Sequence, residues 1–160
     1  MRLRLVVLAG AMTLVPSENA RAQTATQVVR FEVNAINQIG VSGAPAPLVI
    51  NSATAGAAPA SVTAGGTSYA VTTNESNKKI TASVNQALPA GVTLEVQLAA
   101  PSGASSADYV QLGTSSADVV TGISSTTASS LPITYRLSAT PTVQMSAQAR
   151  TVTFTIVSGT

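Results

Sequence analysis

The chain of 160 residues contains no cysteine, no histidine and no tryptophan. Without thiol or imidazole there is no disulfide framework, no cysteine nucleophile, no histidine base, and no zinc, haem or iron–sulfur site of the usual kind. An enzyme made from it would have to work with carboxylates and hydroxyls alone, and none is expected. Charge is also scarce, at 9% of residues, and aromatic side chains make up only 3%. Hydroxyls take their place: 21 Thr and 19 Ser account for 40 of the 160 residues. With abundant Val and Ala beside them, this composition favours strands over helices. The length suits one domain large enough to bury a core without staples.

Residues 1–22 read as a leader. Arg2 and Arg4 form a basic head, residues 5–15 an apolar run, and Ala20-Arg21-Ala22 the small-x-small pattern of a signal peptidase site. A secretory signal peptide cleaved after Ala22 is expected. The run is too short to cross a bilayer, which takes about 20 residues, and polar residues follow it at once. Cleavage also changes the charge, because Arg2, Arg4, Arg21 and Glu18 go with the leader. Arg30, Lys78, Lys79, Arg136 and Arg150 then stand against Glu32, Glu75, Glu95, Asp108 and Asp118, and the formal charge falls from +2 to zero. The remainder offers no basic footprint for nucleic acid or anionic lipid. A secreted, extracellular protein with no membrane insertion after processing is the expectation, indifferent to the redox state outside the cell.

From Val29 onward the odd positions read Val29, Phe31, Val33, Ala35, Asn37, Ile39, Val41, and the even ones are mostly polar. This period of two predicts a long strand, with the exceptions Ile36 and Asn37 marking a bulge or a switch between sheets. Further strands are expected at residues 48–51, 68–73, 79–85, 92–98, around 110–112 and 119–120, at 133–139 and at 151–156. Asn74-Glu75-Ser76-Asn77 reads as the polar tip of a hairpin. Residues 52–61 and the Ser/Thr-rich stretch before Ile133 read as loops. Eight or nine strands with turn residues between them point to an all-β fold, an antiparallel two-sheet sandwich of immunoglobulin-like type, with a jelly roll as the alternative. The aromatics Phe31, Tyr69, Tyr109, Tyr135 and Phe154 fall in or beside these strands, where core packing is the expected duty.

A search for chemistry finds little. The carboxylates are scattered singly. Asp108 and Asp118 flank an apparent hairpin, but a calcium site needs about six to eight oxygen ligands and no dense acidic loop is present, so no metal and no cofactor are expected. No serine sits in a Gly-x-Ser-x-Gly elbow, and a Ser–Lys pairing with Lys78 or Lys79 lacks any motif. Gly65-Gly66 does not open a helix and is no phosphate cradle. Asn74-Glu75-Ser76 matches a glycosylation acceptor that the turn reading already explains.

The segment at residues 23–42 does ask for a functional explanation. A polar start followed by a long alternating strand at one end of the chain is a docking element. By strand addition it completes a neighbour's sheet, and a donor at one end with an acceptor elsewhere grows an open filament. The alternative is that the segment is the first strand of its own sandwich. The cleaved leader, the extension VVRFEVNAINQIGV, a single Ser/Thr-rich sandwich over residues 43–160 and the apolar final strand TVTFTI together resemble exported subunits of extracellular filaments held by donor-strand exchange, the chaperone-usher pilins and related bacterial and archaeal pili. Chaperone-usher subunits often carry a disulfide, which this chain cannot form; donor-strand assembly itself requires none. The resemblance implies a structural subunit for surface attachment or biofilm whose partners are further copies of itself and an export or assembly machinery. It also implies Val29, Phe31 and Val33 as inserting knobs, with Ile39 and Val41 continuing the insertion or opening the subunit's own first strand. A monomeric carbohydrate-binding or adhesive module is the other reading, and it would need an exposed aromatic platform.

Overall fold

A computed structural model describes residues 23–144 and 146–159. The expected leader, residues 1–22, lies outside the described residues. The chain divides into two units, Met1–Glu32 and Val33–Thr160. In the first, residues 23–32 are exposed and carry no regular secondary structure.

The described residues of the second unit contain nine strands: β1 (Asn37–Ser42), β2 (Val62–Thr73), β3 (Lys78–Val84), β4 (Val92–Leu98), β5 (Ser105–Ser106), β6 (Val110–Gln111), β7 (Ala117–Ile123), β8 (Thr126–Ala139) and β9 (Val152–Ser158). No helix occurs among the described residues, so none there is long and apolar enough to cross a membrane. Every strand pairing is antiparallel. The strands form two sheets that pack face to face, in the orders β1-β2-β8-β4-β6 and β5-β7-β3-β9. The run β1-β2-β8-β4 follows the A-B-E-D order of an immunoglobulin sandwich, and β3-β9 its C-F pair. Among the described residues no strand takes the G position beside β9.

Alternation builds the core. Tyr69 and Val71 of β2, Ile80, Ala82 and Val84 of β3, Val96 and Leu98 of β4, and Ile133 and Tyr135 of β8 turn the same way at every second residue and meet in one buried cluster. Leu112, Val119, Val120 and Ile123 complete it. Both Val119 and Val120 are buried because the β3–β7 register slips beside Ile80. Tyr69 satisfies its hydroxyl on the Ala99 carbonyl at 2.5 Å, and burial pushes its phenol up to about 12.

Several sequence expectations are corrected here. Residues 74–77 do not close a hairpin, because β2 and β3 lie in different sheets. The backbone groups of this corner go to other segments. Asn77, at φ 51°, donates its N–H to Ser124 Oγ at 3.1 Å and accepts from Gly159 N, while Glu75 O accepts from Ser125 N. Residues 126–130, expected as loop, are strand, residues 62–67 extend the strand expected at 68–73, and residues 48–51 are not strand. The hydroxyl-rich start of β8 is strand because Thr126, Thr127 and Ala128 pair with the end of β2 at Thr73, Thr72 and Val71. Tertiary pairing overrides the weak local signal of such residues. Gly65-Gly66 sits inside β2 at a register shift, where Gly43 at φ 83° approaches so closely that a Cβ would stand 2.6 Å from the Gly66 carbonyl oxygen.

Candidate functional site

The two lateral sides of the sandwich are built differently. One side ends in β5 and β6, each only two residues long, which is a usual way to blunt a sheet edge. The other side ends in β1 and β9, which face each other across the two sheets. β9 pairs with β3 alone, and its second side has no ladder partner among the described residues. It has seven residues and carries no charge, no proline and no bulge, so it lacks the features that normally protect an edge.

This edge is also apolar toward the core. Val152, Phe154 and Ile156 face inward opposite Val84, Ala82 and Ile80, while Thr153 and Thr155 face solvent. Their β3 partners are fully enclosed, yet Val152, Phe154 and Ile156 remain only partly buried. Across the opening, Ile39 of β1 is partly buried against the same core. The interlayer space between β1 and β9 is therefore bounded by apolar side chains that this chain does not fully cover.

The same chain carries exposed apolar side chains without a strand partner. Val28, Val29, Phe31 and Val33 are 83%, 72%, 90% and 77% exposed, and residues 23–36 join no sheet. Single exposed apolar residues are ordinary, but four within six positions form a concentration of uncovered apolar surface. Of the two readings of Ile39 and Val41, the pairing is that of the chain's own first strand: both lie in β1, opposite Val71 and Tyr69 of β2. The exposed apolar run without a ladder is thus residues 28–33, and the first sheet begins at β1, ahead of the expected boundary at residue 43. The break in alternation at Ile36 and Asn37 marks the start of that ladder, because Asn37 opens β1 opposite Thr73.

Asn74 holds the approach to β1. Its Oδ1 accepts from Ile36 N at 2.8 Å, its Nδ2 donates to Asn34 O at 2.8 Å, and its own N–H donates to Ile36 O at 3.3 Å. The amide nitrogen that a glycan would occupy is thus already engaged. Beside it, Lys78 Nζ donates to Ser158 Oγ at 3.1 Å and stands 2.9 Å from Glu75 Oε2. This is the one Ser–Lys pairing that forms among the described residues, and in it the Lys78 ammonium donates to the Ser158 hydroxyl while it pairs with the Glu75 carboxylate, so it does not stand as a base toward Ser158. Sequence reasoning missed both the Asn74 latch and this network; its only trace was the polar Asn37 in an otherwise apolar row.

The remaining candidates are kept apart. Asp108 accepts from Gln97 and Asp118 from Lys79, and the strands beside them, β6 and β7, belong to different sheets. No group of three metal-ligating side chains occurs among the described residues. Tyr109 is not in the core: the Arg136 guanidinium lies 4.0 Å over one face of its ring. Arg136 also grips Glu95 with Nε to Oε2 at 2.7 Å and Nη2 to Oε1 at 2.9 Å, and these bonds hold the Glu95 carboxyl below its ordinary 4.5. A carboxyl depressed in the folded state adds stability that is complete above its unfolded value and is lost as pH falls through the folded one. The urea midpoint is therefore expected to drop from about pH 4.5 downward, and Glu95→Gln to remove part of that dependence at a cost of up to about 1 kcal/mol at neutral pH.

No family model, curated protein or solved structure matches the chain.

Proposed function

We propose that this protein is the structural subunit of an extracellular filament, exported by a leader cleaved after Ala22, in which residues 28–33 of one copy add as a strand to the β9 edge of the next. The observation that carries the reading is the unprotected edge of β9, at the place where an immunoglobulin sandwich has strand G. The exposed Val29, Phe31 and Val33 alternate as an inserted strand requires, so that backbone hydrogen bonds run along β9 while these side chains close the space beside Phe154 and Ile156. Donor and acceptor lie on different parts of the chain, so the contact is head-to-tail and propagates unless it closes into a ring.

The energetics favour a durable contact. Burying an apolar side chain of this size contributes about 1.5–3 kcal/mol, and each ladder hydrogen bond adds about 0.5–1.5 kcal/mol. Three side chains and a short ladder thus exceed the lower part of the association cost of about 4–15 kcal/mol. A neutral, hydroxyl-rich surface suits close packing along a fibre. Negative-stain electron microscopy of the chain from Gln23 onward, recovered from the surface of its host or a secreting strain, tests the reading. Filaments of uniform width are expected; compact monomers at all concentrations would overturn it and turn attention to a carbohydrate-binding or adhesive module.

A further inference from the structure

At the corner where β1, β2 and β3 begin or end, four side chains converge on one another. Glu75 Oε2 accepts from Asn37 Nδ2 and also stands 2.9 Å from Lys78 Nζ, so the amide nitrogen and the amine share one carboxylate oxygen. Asn37 Oδ1 accepts from Thr73 Oγ1 at 2.8 Å. The orientation of the Asn37 amide follows from its partners. A carboxylate only accepts, so it faces Nδ2; Thr73 Oγ1 receives the Glu75 N–H at 3.1 Å and so spends its own proton on Oδ1. Lys78 and Thr73 are only 9% and 3% exposed. A surface ion pair needs neither the hydroxyl on the amide oxygen nor the burial.

We propose that Lys78 and Asn37 condense into an intramolecular amide cross-link, with Glu75 moving the protons and Thr73 stabilising the oxyanion. Glu75 is suited to the task, since the Asn37 and Lys78 hydrogen bonds keep it below its ordinary 4.5 and so deprotonated at neutral pH. The carboxylate takes a proton from the Lys78 ammonium, and the freed amine attacks Asn37 Cγ, one bond from the shared contact. The Thr73 hydroxyl meets the negative charge that develops on Oδ1. Glu75 returns its proton to Nδ2, the Cγ–Nδ2 bond breaks, and ammonia departs. The proton left on the new Nζ–Cγ amide passes through Glu75 to ammonia. The balance is one ammonium and one amide from one ammonium and one carboxamide, with no oxidant, metal or co-substrate. An amine does not attack a carboxamide readily in water, but holding two groups together is equivalent to an effective concentration of about 10⁵–10⁸ M. The product also removes a charge from a buried position.

The bond would tie the first residue of β1 to the first residue of β3, joining the two sheets beside the Asn74 latch. In a filament, tension on residues 28–33 would enter both sheets through a covalent link; the cross-link itself does not depend on the filament reading.

Peptide mapping of the folded full-length secreted chain by mass spectrometry is the test. The fragments carrying Asn37 and Lys78 are expected to remain joined after cleavage behind Glu75, to weigh together one ammonia less than their sequences, and to resist trypsin at Lys78. Glu75→Gln, which keeps the shape but cannot carry the proton, is expected to fold and to restore the full mass and the tryptic cut. A folded wild-type chain with separate fragments of full mass would overturn the proposal. So would loss of ammonia with Lys78 still open to trypsin, since that pattern marks cyclisation of Asn37 alone.

Discussion

Changing Phe31 and Val33 together to Asp is expected to leave a soluble, folded subunit that no longer polymerises. Both side chains are largely exposed in the single chain, at 90% and 77%, so their loss takes nothing from its core. In the proposed filament they enter the apolar space beside Phe154 and Ile156, where an unpaired carboxylate costs several kcal/mol. Each 1.4 kcal/mol is about a tenfold loss in affinity, so two such carboxylates weaken each junction by about a thousandfold or more. Size-exclusion chromatography with light scattering should report monomers, and the thermal unfolding of the monomer should match that of the unchanged chain dissociated into subunits. Filaments that survive the double change would remove residues 28–33 from the junction and return the edge of β9 to the status of an ordinary, if poorly protected, sheet margin.

The second large effect concerns the acceptor. A copy of residues 27–34 joined to the end of the chain through a short glycine-containing turn, with the original residues 23–33 removed, is expected to fold back as a hairpin partner of β9 in its own molecule. The appended strand would run antiparallel to β9, as strand G does to F. Its side chains would cover Val152, Phe154 and Ile156, which the chain leaves partly open. Ordering each residue costs about 1–2 kcal/mol, so the gain from apolar burial and the ladder is a surplus of a few kcal/mol. The unfolding temperature should rise by about 10 °C, and the variant should be monomeric and inert toward chains with a free donor. Unaltered stability together with continued polymerisation would place the acceptor elsewhere than β9.

These outcomes depend on the absence of protection along β9. The short β5 and β6 close the opposite side, whereas β9 presents seven uncharged residues. Edges of that kind associate unless something covers them. In the proposed filament, a donor stored in the same chain turns this hazard into a specific contact, because pocket spacing accepts alternating apolar residues and rejects others.

Much of the architecture was legible in the sequence. Alternation of period two in residues 79–85, 92–98 and 151–156 announced β3, β4 and β9 nearly to their ends, because a half-buried strand must place apolar groups at every second position. The absence of cysteine, histidine and charge clusters already set aside most site chemistry. Weak alternation hid the rest: the hydroxyl-rich residues 126–130 became strand only by pairing with β2. Local pattern says that a strand exists and which way it faces, but not which strand lies beside it. That is decided by pairings dozens of residues apart. The apparent hairpin at residues 74–77 proved to be a crossing between sheets, since its polar groups bond to residues 34, 36, 124, 125 and 159. The same long-range closure separated Ile39 and Val41, which β2 claims, from Val29, Phe31 and Val33, which it does not. It also brought Asn37 and Lys78 onto one oxygen of Glu75. Sequence alone determined the class of fold and the inward face of the strongly alternating strands β3, β4 and β9, because both follow from periodicity; the open edge, the true extent of the free segment and the Asn37–Glu75–Lys78 corner were decided by tertiary structure, because each is a meeting of residues that no local pattern relates.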